Sequence, residues 1–233
     1  MKNIKKAIKK SVRERLRFSP DEEARLPWLP MLLEAYSVID AGVLHAADDL
    51  EKRQGKKLAC KKGCGNCCRS QTDIPFYPLE LTGIYWFCME KMEQSAREEL
   101  KERIRGRCGT GGPVVTGTPG NKGEEGGCVF LQGGSCSIHH VRPVACRQFN
   151  VSGKPCGPAE DPFFTRRGDV LTPIREYMDR AFFIMMPFYG IHDDARRQKA
   201  VSDGIFLRTQ AMNLQKQDWK ELLKLMEQFD ASK

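Results

Sequence analysis

The chain has 233 residues, enough for one domain with a sizeable core, and its 40% hydrophobic and 29% charged residues are an ordinary soluble balance. No apolar run is long enough to span a bilayer. The basic start lacks the apolar stretch of a secretory signal, so a cytoplasmic location and no transmembrane segment are expected. The net charge of +8 suggests nucleic acid until it is located: residues 1–17 hold five Lys and three Arg against one Glu, a net +7, which leaves +1 for the rest.

Residues 1–18 therefore read as a basic N-terminal segment, and 19–233 as a single helical domain. Ile4, Ile8, Val12 and Leu16 form a thin helical stripe in the basic segment. It would lean on the body at least as readily as touch RNA or an anionic membrane surface. Ser19-Pro20-Asp-Glu-Glu resembles a helix start, with Ser as cap and Pro in the first turn. After Pro27 and Pro30, the stripe Leu32, Tyr36, Ile39, Val43, Ala47, Leu50 predicts a long helix to about Arg53. A cysteine-rich loop follows on Gly63 and Gly65. Residues 79–92 predict a helix apolar on most sides and hence buried, with Cys88 as a packed thiol. A charged helix is expected from Ser95 to Arg107. The glycine-rich stretch 109–127 predicts a loop, with Cys108 at its edge. Cys128 to Ile138 reads as two short strands around Gly133-Gly134, and Pro143 as the first turn of a helix carrying Cys146. A Phe- and Met-rich helix from Thr172-Pro173 should end near Pro187 and Gly190. A final helix carries Trp219, Leu222, Leu223, Met226 and Phe229 on one face. The fold class is mainly α: one helical domain with a small cysteine-rich β-hairpin and loops around a metal centre.

Ten cysteines are present, and seven fall into two groups. Cys60, Cys64, Cys67 and Cys68 form the first; Cys128, Cys136 and Cys146 form the second. In a reducing compartment clustered thiols read as metal ligands rather than disulfides. Thiolates are soft, charged donors that suit zinc and iron. Four complete a structural zinc site or an iron–sulfur cluster. Seven exceed one such site, and Cys156 is a possible eighth. Neighbouring side chains diverge, so the Cys67-Cys68 doublet is easier to explain with a second metal or a multinuclear centre. The doublet and the surplus favour an iron–sulfur cluster, with zinc as the alternative. His139 could replace a thiol, though with enough sulfurs it reads as a packing residue. Lys56, Lys57, Lys61, Lys62 and Arg69 flank the first group, and Arg142 and Arg147 flank Cys146; positive charge there would lower thiol pKa values. The lysines read equally well as ordinary surface residues.

The first group, with the later Cys-x7-Cys-Ser-Ile-x3-Arg-Pro-x2-Cys-Arg-x-Phe string, resembles the YkgJ-type, or CxxCxxCC, cysteine-cluster family. Cys60, Cys64, Cys67, Cys68, Cys128, Cys136, Arg142, Pro143 and Cys146 match its motif over about residues 60–149. The family often has Tyr where this chain has His139. The resemblance implies zinc or iron chelation. It also reaches enzymes similar to flagellin lysine methylase, although no Gly-rich nucleotide loop follows a strand here. Three functions follow as expectations. The first is a metal-chelating protein in electron transfer or metal handling, with an unknown protein or redox partner. The second is a protein-modifying enzyme, which predicts a concave pocket beside the cysteines and a methyl donor. The third is a zinc-stabilised interaction module that meets nucleic acid through its basic N-terminus.

Overall fold

The computed structural model describes residues 20–61, 63–108, 127–158 and 160–232. The basic segment with its Ser19 cap, and most of the glycine-rich stretch, lie outside them. The fold is mainly α, as expected.

Helix α1 (Pro20–Arg25) leads into α2 (Leu29–Gln54), the spine of the molecule. Pro30 stands in the first turn of α2, Lys52 and Arg53 in the last, and Gly55 closes it at φ +67° with its N–H on Glu51 O. Its face of Leu29, Leu32, Leu33, Tyr36 and Ile39 is buried. The next helix along this face is α4 (Pro78–Trp86), which continues as a π-helical turn over Phe87–Lys91. Arg97 on α5 (Gln94–Cys108) explains how that turn ends. Its buried Nη1 donates to the carbonyls of Cys88, Met89 and Met92 at 3.2, 3.1 and 3.0 Å, satisfying groups the π turn leaves open. Arg97 and Lys101 also reach Asp230, each through bonds of 2.9 or 2.8 Å. That acid lies on the closing amphipathic helix α11 (Lys220–Ala231), so α11 is tied to α5.

After the short helix α7 (Pro162–Thr165), helix α8 (Arg175–Met185) lies along α2, and the two meet where Gly42 faces Tyr177: a Cβ on Gly42 would sit 2.8 Å from Tyr177 Cβ. It starts two residues after Pro173 and ends in a 3-10 turn, Met186–Tyr189, close to the expected stop. Two further helices, α9 (Asp194–Asp203) and α10 (Ile205–Gln210), were not legible beforehand. Neither was the antiparallel pairing of β1 (Pro75–Phe76) with β4 (Met212–Asn213). Among the described residues no helix is long and apolar enough to cross a membrane.

Candidate metal centre

The first cysteine loop turns at Gly63, φ +85°, where the Cys64 N–H reaches Lys61 O at 3.1 Å. The short helix α3 (Asn66–Ser70) then carries the Cys67-Cys68 doublet. The second group starts at Cys128 and runs through the hairpin β2 (Leu131–Gln132) and β3 (Ser135–Cys136). Gly133 and Gly134, at φ +51° and +77°, make its turn, and Leu131 pairs with Cys136. The strands are shorter than expected: Val129 and Phe130 form a turn, and Phe130 O accepts from both the N–H and the hydroxyl of Ser137.

The two loops touch backbone to backbone. Cys128 N–H donates to Cys68 O at 2.7 Å. A Cβ on Gly65 would lie 2.6 Å from Leu131 Cδ1 and 2.9 Å from Gly134 O, so only glycine permits the approach. Gly65→Ala is expected to cost about 1–3 kcal/mol, the range for overpacking. It should also lower the metal content, measured by denaturant unfolding and elemental analysis of the same sample.

Several sulfurs accept backbone N–H groups. Val151 N–H donates to Cys60 Sγ at 3.2 Å. Phe130 N–H donates to the Cys128 sulfur, Ile138 N–H to that of Cys136, and Cys68 N–H to that of Cys67. Such bonds favour the thiolate. Against them, burial is the largest effect on Cys60, Cys136 and Cys146 and pushes each thiol up, and it carries Cys128 to about 12. Cys67 is raised first by its hydrogen bond with Cys68 and then by burial. Positive charge offsets that burial. One source is Arg142, which favours the thiolates of Cys60, Cys67, Cys136 and Cys146 together. Its buried Nε finds no hydrogen-bond acceptor among the described residues. A metal centre would supply the remaining charge and release thiol protons on binding. In this chemistry the donors fit a thiophilic metal. Among the described residues, however, no three His, Cys, Asp or Glu donors stand close enough to hold an ion as they are. Loading would therefore draw the loops inward.

Behind Cys146 lies a buried polar frame. Arg147, on α6 (Val144–Gln148), forks onto Asp40 of α2 at 3.0 and 2.8 Å. It also donates to Arg142 O at 3.0 Å and to His140 O, and stacks over Tyr36 at 4.0 Å. Pro143 is the cap of α6 rather than its first residue, and Glu80 of α4 accepts from Val144 N–H at 2.7 Å and from Tyr77 N–H at 3.0 Å. One carboxylate therefore fixes the starts of two helices. Asp40 and Glu80 were missed in the sequence; for Glu80 the available signal was an acid near the start of a helix predicted to be buried on most sides.

Glu80 is fully enclosed, and burial lifts its carboxyl from 4.5 to about 7, outweighing both N–H donors and the charge of Arg147. A carboxyl raised on folding contributes most below its unfolded value and loses that contribution as pH rises through its folded one. Wild-type stability is therefore expected to fall, relative to Glu80→Gln, between pH 4.5 and about 7. Urea titrations of both proteins at several pH values measure it, and parallel curves would contradict it.

The remaining candidates divide. The nine cysteines whose side chains are described carry free thiols. Cys88 is fully buried in the core, as expected. Cys156 is half-buried, with Arg166 Nη2 3.5 Å from its sulfur. His139 sits in the 3-10 turn His139–Val141; burial, then Arg142 and Arg147, hold it neutral down to about 4. Lys56 pairs with Asp169 at 2.8 Å and Lys57 approaches Glu51 at 3.7 Å. Beside α6 lies an open groove of about 300 Å³, lined by Gln148, Phe149, Phe163, Arg167 and Pro173 among others, with no cysteine in its wall.

A helical frame that delivers two glycine-jointed thiol loops to one another defines a cysteine-cluster protein. Residues 59–169 match the family model CxxCxxCC, described as "Putative zinc- or iron-chelating domain", and this part of the chain is similar to that family. The match extends beyond the 60–149 expected and takes in Cys156. The comparisons with curated proteins and with solved structures gave no match.

Proposed function

We propose that the chain holds an iron–sulfur cluster on thiolates from both cysteine groups, in electron transfer or metal handling, with zinc as the alternative metal. The ligands in this reading come from Cys60, Cys64, Cys67, Cys68, Cys128, Cys136 and Cys146. The observation that carries it is the contact between the two loops: the first group meets the second at Cys68–Cys128, and Arg142 bears on thiols of both. The doublet and the surplus of thiols support a cluster over a single tetrahedral ion. Bound, such a cluster accepts and releases single electrons. The protein's part is to present deprotonated sulfurs, aim N–H groups at them and offset their charge with Arg142.

Cys136→Ser and Cys146→Ser are each expected to lower the iron and sulfide content of anaerobically purified protein, while Cys88→Ala leaves it unchanged. A Cys136→Ser protein with wild-type metal content would overturn the reading. A second reading, a protein-modifying enzyme, requires a concavity beside the cysteines; the groove beside α6 approaches them only at Ala145, the neighbour of Cys146. Titration calorimetry with a methyl donor tests it, and absence of binding to metal-loaded protein would sink it.

A further inference from the structure

The second cysteine group is held from behind as well as from the first loop. Arg103 and Arg107 stand one turn apart on the same face of α5. Arg107 Nη2 donates to Gly127 O, and Arg103 Nε donates to Val129 O at 2.9 Å. The carbonyls on either side of Cys128 are therefore both gripped by guanidinium groups of one helix. Helix α5 is itself tied to α11 through Asp230, so the grip is anchored in the helical frame. The ion pair of Arg103 with Glu99, at 3.9 Å and with the Glu99 side chain 57% exposed, is too loose to account for the placement.

Each carbonyl belongs to a rigid peptide unit whose N–H has its own task. In the unit 127–128, Arg107 takes the carbonyl and the Cys128 N–H donates to Cys68 O at 2.7 Å. This unit is the bridge between α5 and the first cysteine loop. A Cβ on Gly127 would lie 3.1 Å from Cys68 O, so the two segments run close there. In the unit 129–130, Arg103 takes the carbonyl and the Phe130 N–H donates to the Cys128 sulfur. A cation on the carbonyl end polarises the amide and strengthens the bond its N–H end donates. Val129 and Phe130 are buried, and Phe130 packs edge-on against Trp219 with ring centroids 4.9 Å apart. Those contacts anchor the two side chains; the arginines set the tilt of the peptide planes around Cys128.

We infer that Arg103 and Arg107 are positioning residues of the metal centre, with Cys128 as the ligand they act through. Arg107 fixes the peptide that joins Cys128 to Cys68, and Arg103 aims the Phe130 N–H at the Cys128 sulfur. This inference rests on the metal-chelating reading above, because it needs Cys128 to be a ligand.

The test is cobalt(II) binding by the reduced full-length protein under argon, in competition with a chelator and read by sulfur-to-cobalt charge-transfer absorbance. Arg103→Gln keeps an N–H donor at the chain position of Nε, whereas Arg103→Met matches that length without a donor. Arg103→Met is expected to weaken cobalt binding about tenfold, the worth of one hydrogen bond from a charged group. Arg103→Gln should stay within about threefold of wild type. In a Cys128→Ala background, Arg103→Met should cause no further loss, because the ligand it acts through is gone. Arg107→Met is expected to bring a loss of the same size, and it keeps the comparison open if Arg103→Met does not fold. Wild-type affinity in either Met variant overturns the role of that arginine. Equal weakening in Arg103→Met and Arg103→Gln, or an undiminished loss in the Cys128→Ala background, overturns the aimed donor. A wild type that takes up no cobalt overturns the metal-chelating reading with it.

Discussion

Replacing Arg147 by Met is expected to destabilise the protein by about 3–5 kcal/mol, the range for removing one partner of a buried ion pair. The Arg147 side chain is 5% exposed and that of Asp40 29%, so the lower end of the range applies. The substitution leaves Asp40 without its fork and removes the donor from Arg142 O and His140 O. It also releases the stack over Tyr36, whose hydroxyl donates to Val141 O at 3.2 Å. The strand of chain from 140 to 147 would then be held to α2 chiefly by apolar contacts, and it carries both Arg142 and Cys146. Urea unfolding should give a lower midpoint with an unchanged slope. Arg147→Lys should recover only part of the loss, since a single ammonium cannot span both carboxylate oxygens and two carbonyls. A change under about 1 kcal/mol, the ceiling for a surface pair, would show that the frame behind Cys146 does not bear on stability.

Metal removal should have an effect of similar size but a different distribution. A ligand that binds only the folded state at a thousand times its dissociation constant stabilises by about 4 kcal/mol. In this molecule that stabilisation is local. Among the described residues, the loops at 60–70, 127–137 and 151–161 contain no element longer than five residues, whereas α2, α4, α8 and α11 contribute to the shared apolar core of Leu32, Tyr36, Ile84, Met185 and Met226. Chelation is therefore expected to raise hydrogen exchange in the loops and to leave helical circular dichroism nearly unchanged. Collapse of the helical signal on chelation would contradict this division between frame and centre.

That division also explains what the sequence disclosed. The long helix α2 was legible to within a residue or two because its stripe and its prolines speak locally. The cysteine loops were legible because thiols, glycines and spacing carry their chemistry in the residue types. The frame behind them was not. Asp40 on α2 looks like any solvent-facing acid until Arg147, 107 positions later, folds onto it. Arg147 reads from sequence as a charge for the thiolates, yet its guanidinium is engaged by Asp40 and two carbonyls, and Arg142 is the cation with an uncommitted Nε. Strands of two residues, such as Pro75–Phe76 against Met212–Asn213, have no period to read. Cys156 ranked below the other seven because its spacing from them, across Pro155 and Gly157, matches no ligand motif. The pairing of residues 57–60 with 151–153, which brings its segment to the first cysteine loop, has no sequence signal.

The central claim is that these thiols hold a metal centre, and that it is an iron–sulfur cluster. Purification of the full-length chain without oxygen, followed by a visible spectrum and assays of iron, acid-labile sulfide and zinc, tests it most directly. A brown protein containing iron and sulfide in similar amounts is expected. A colourless protein with stoichiometric zinc would contradict the cluster, and one with neither metal, and no uptake on reconstitution, would contradict the centre itself.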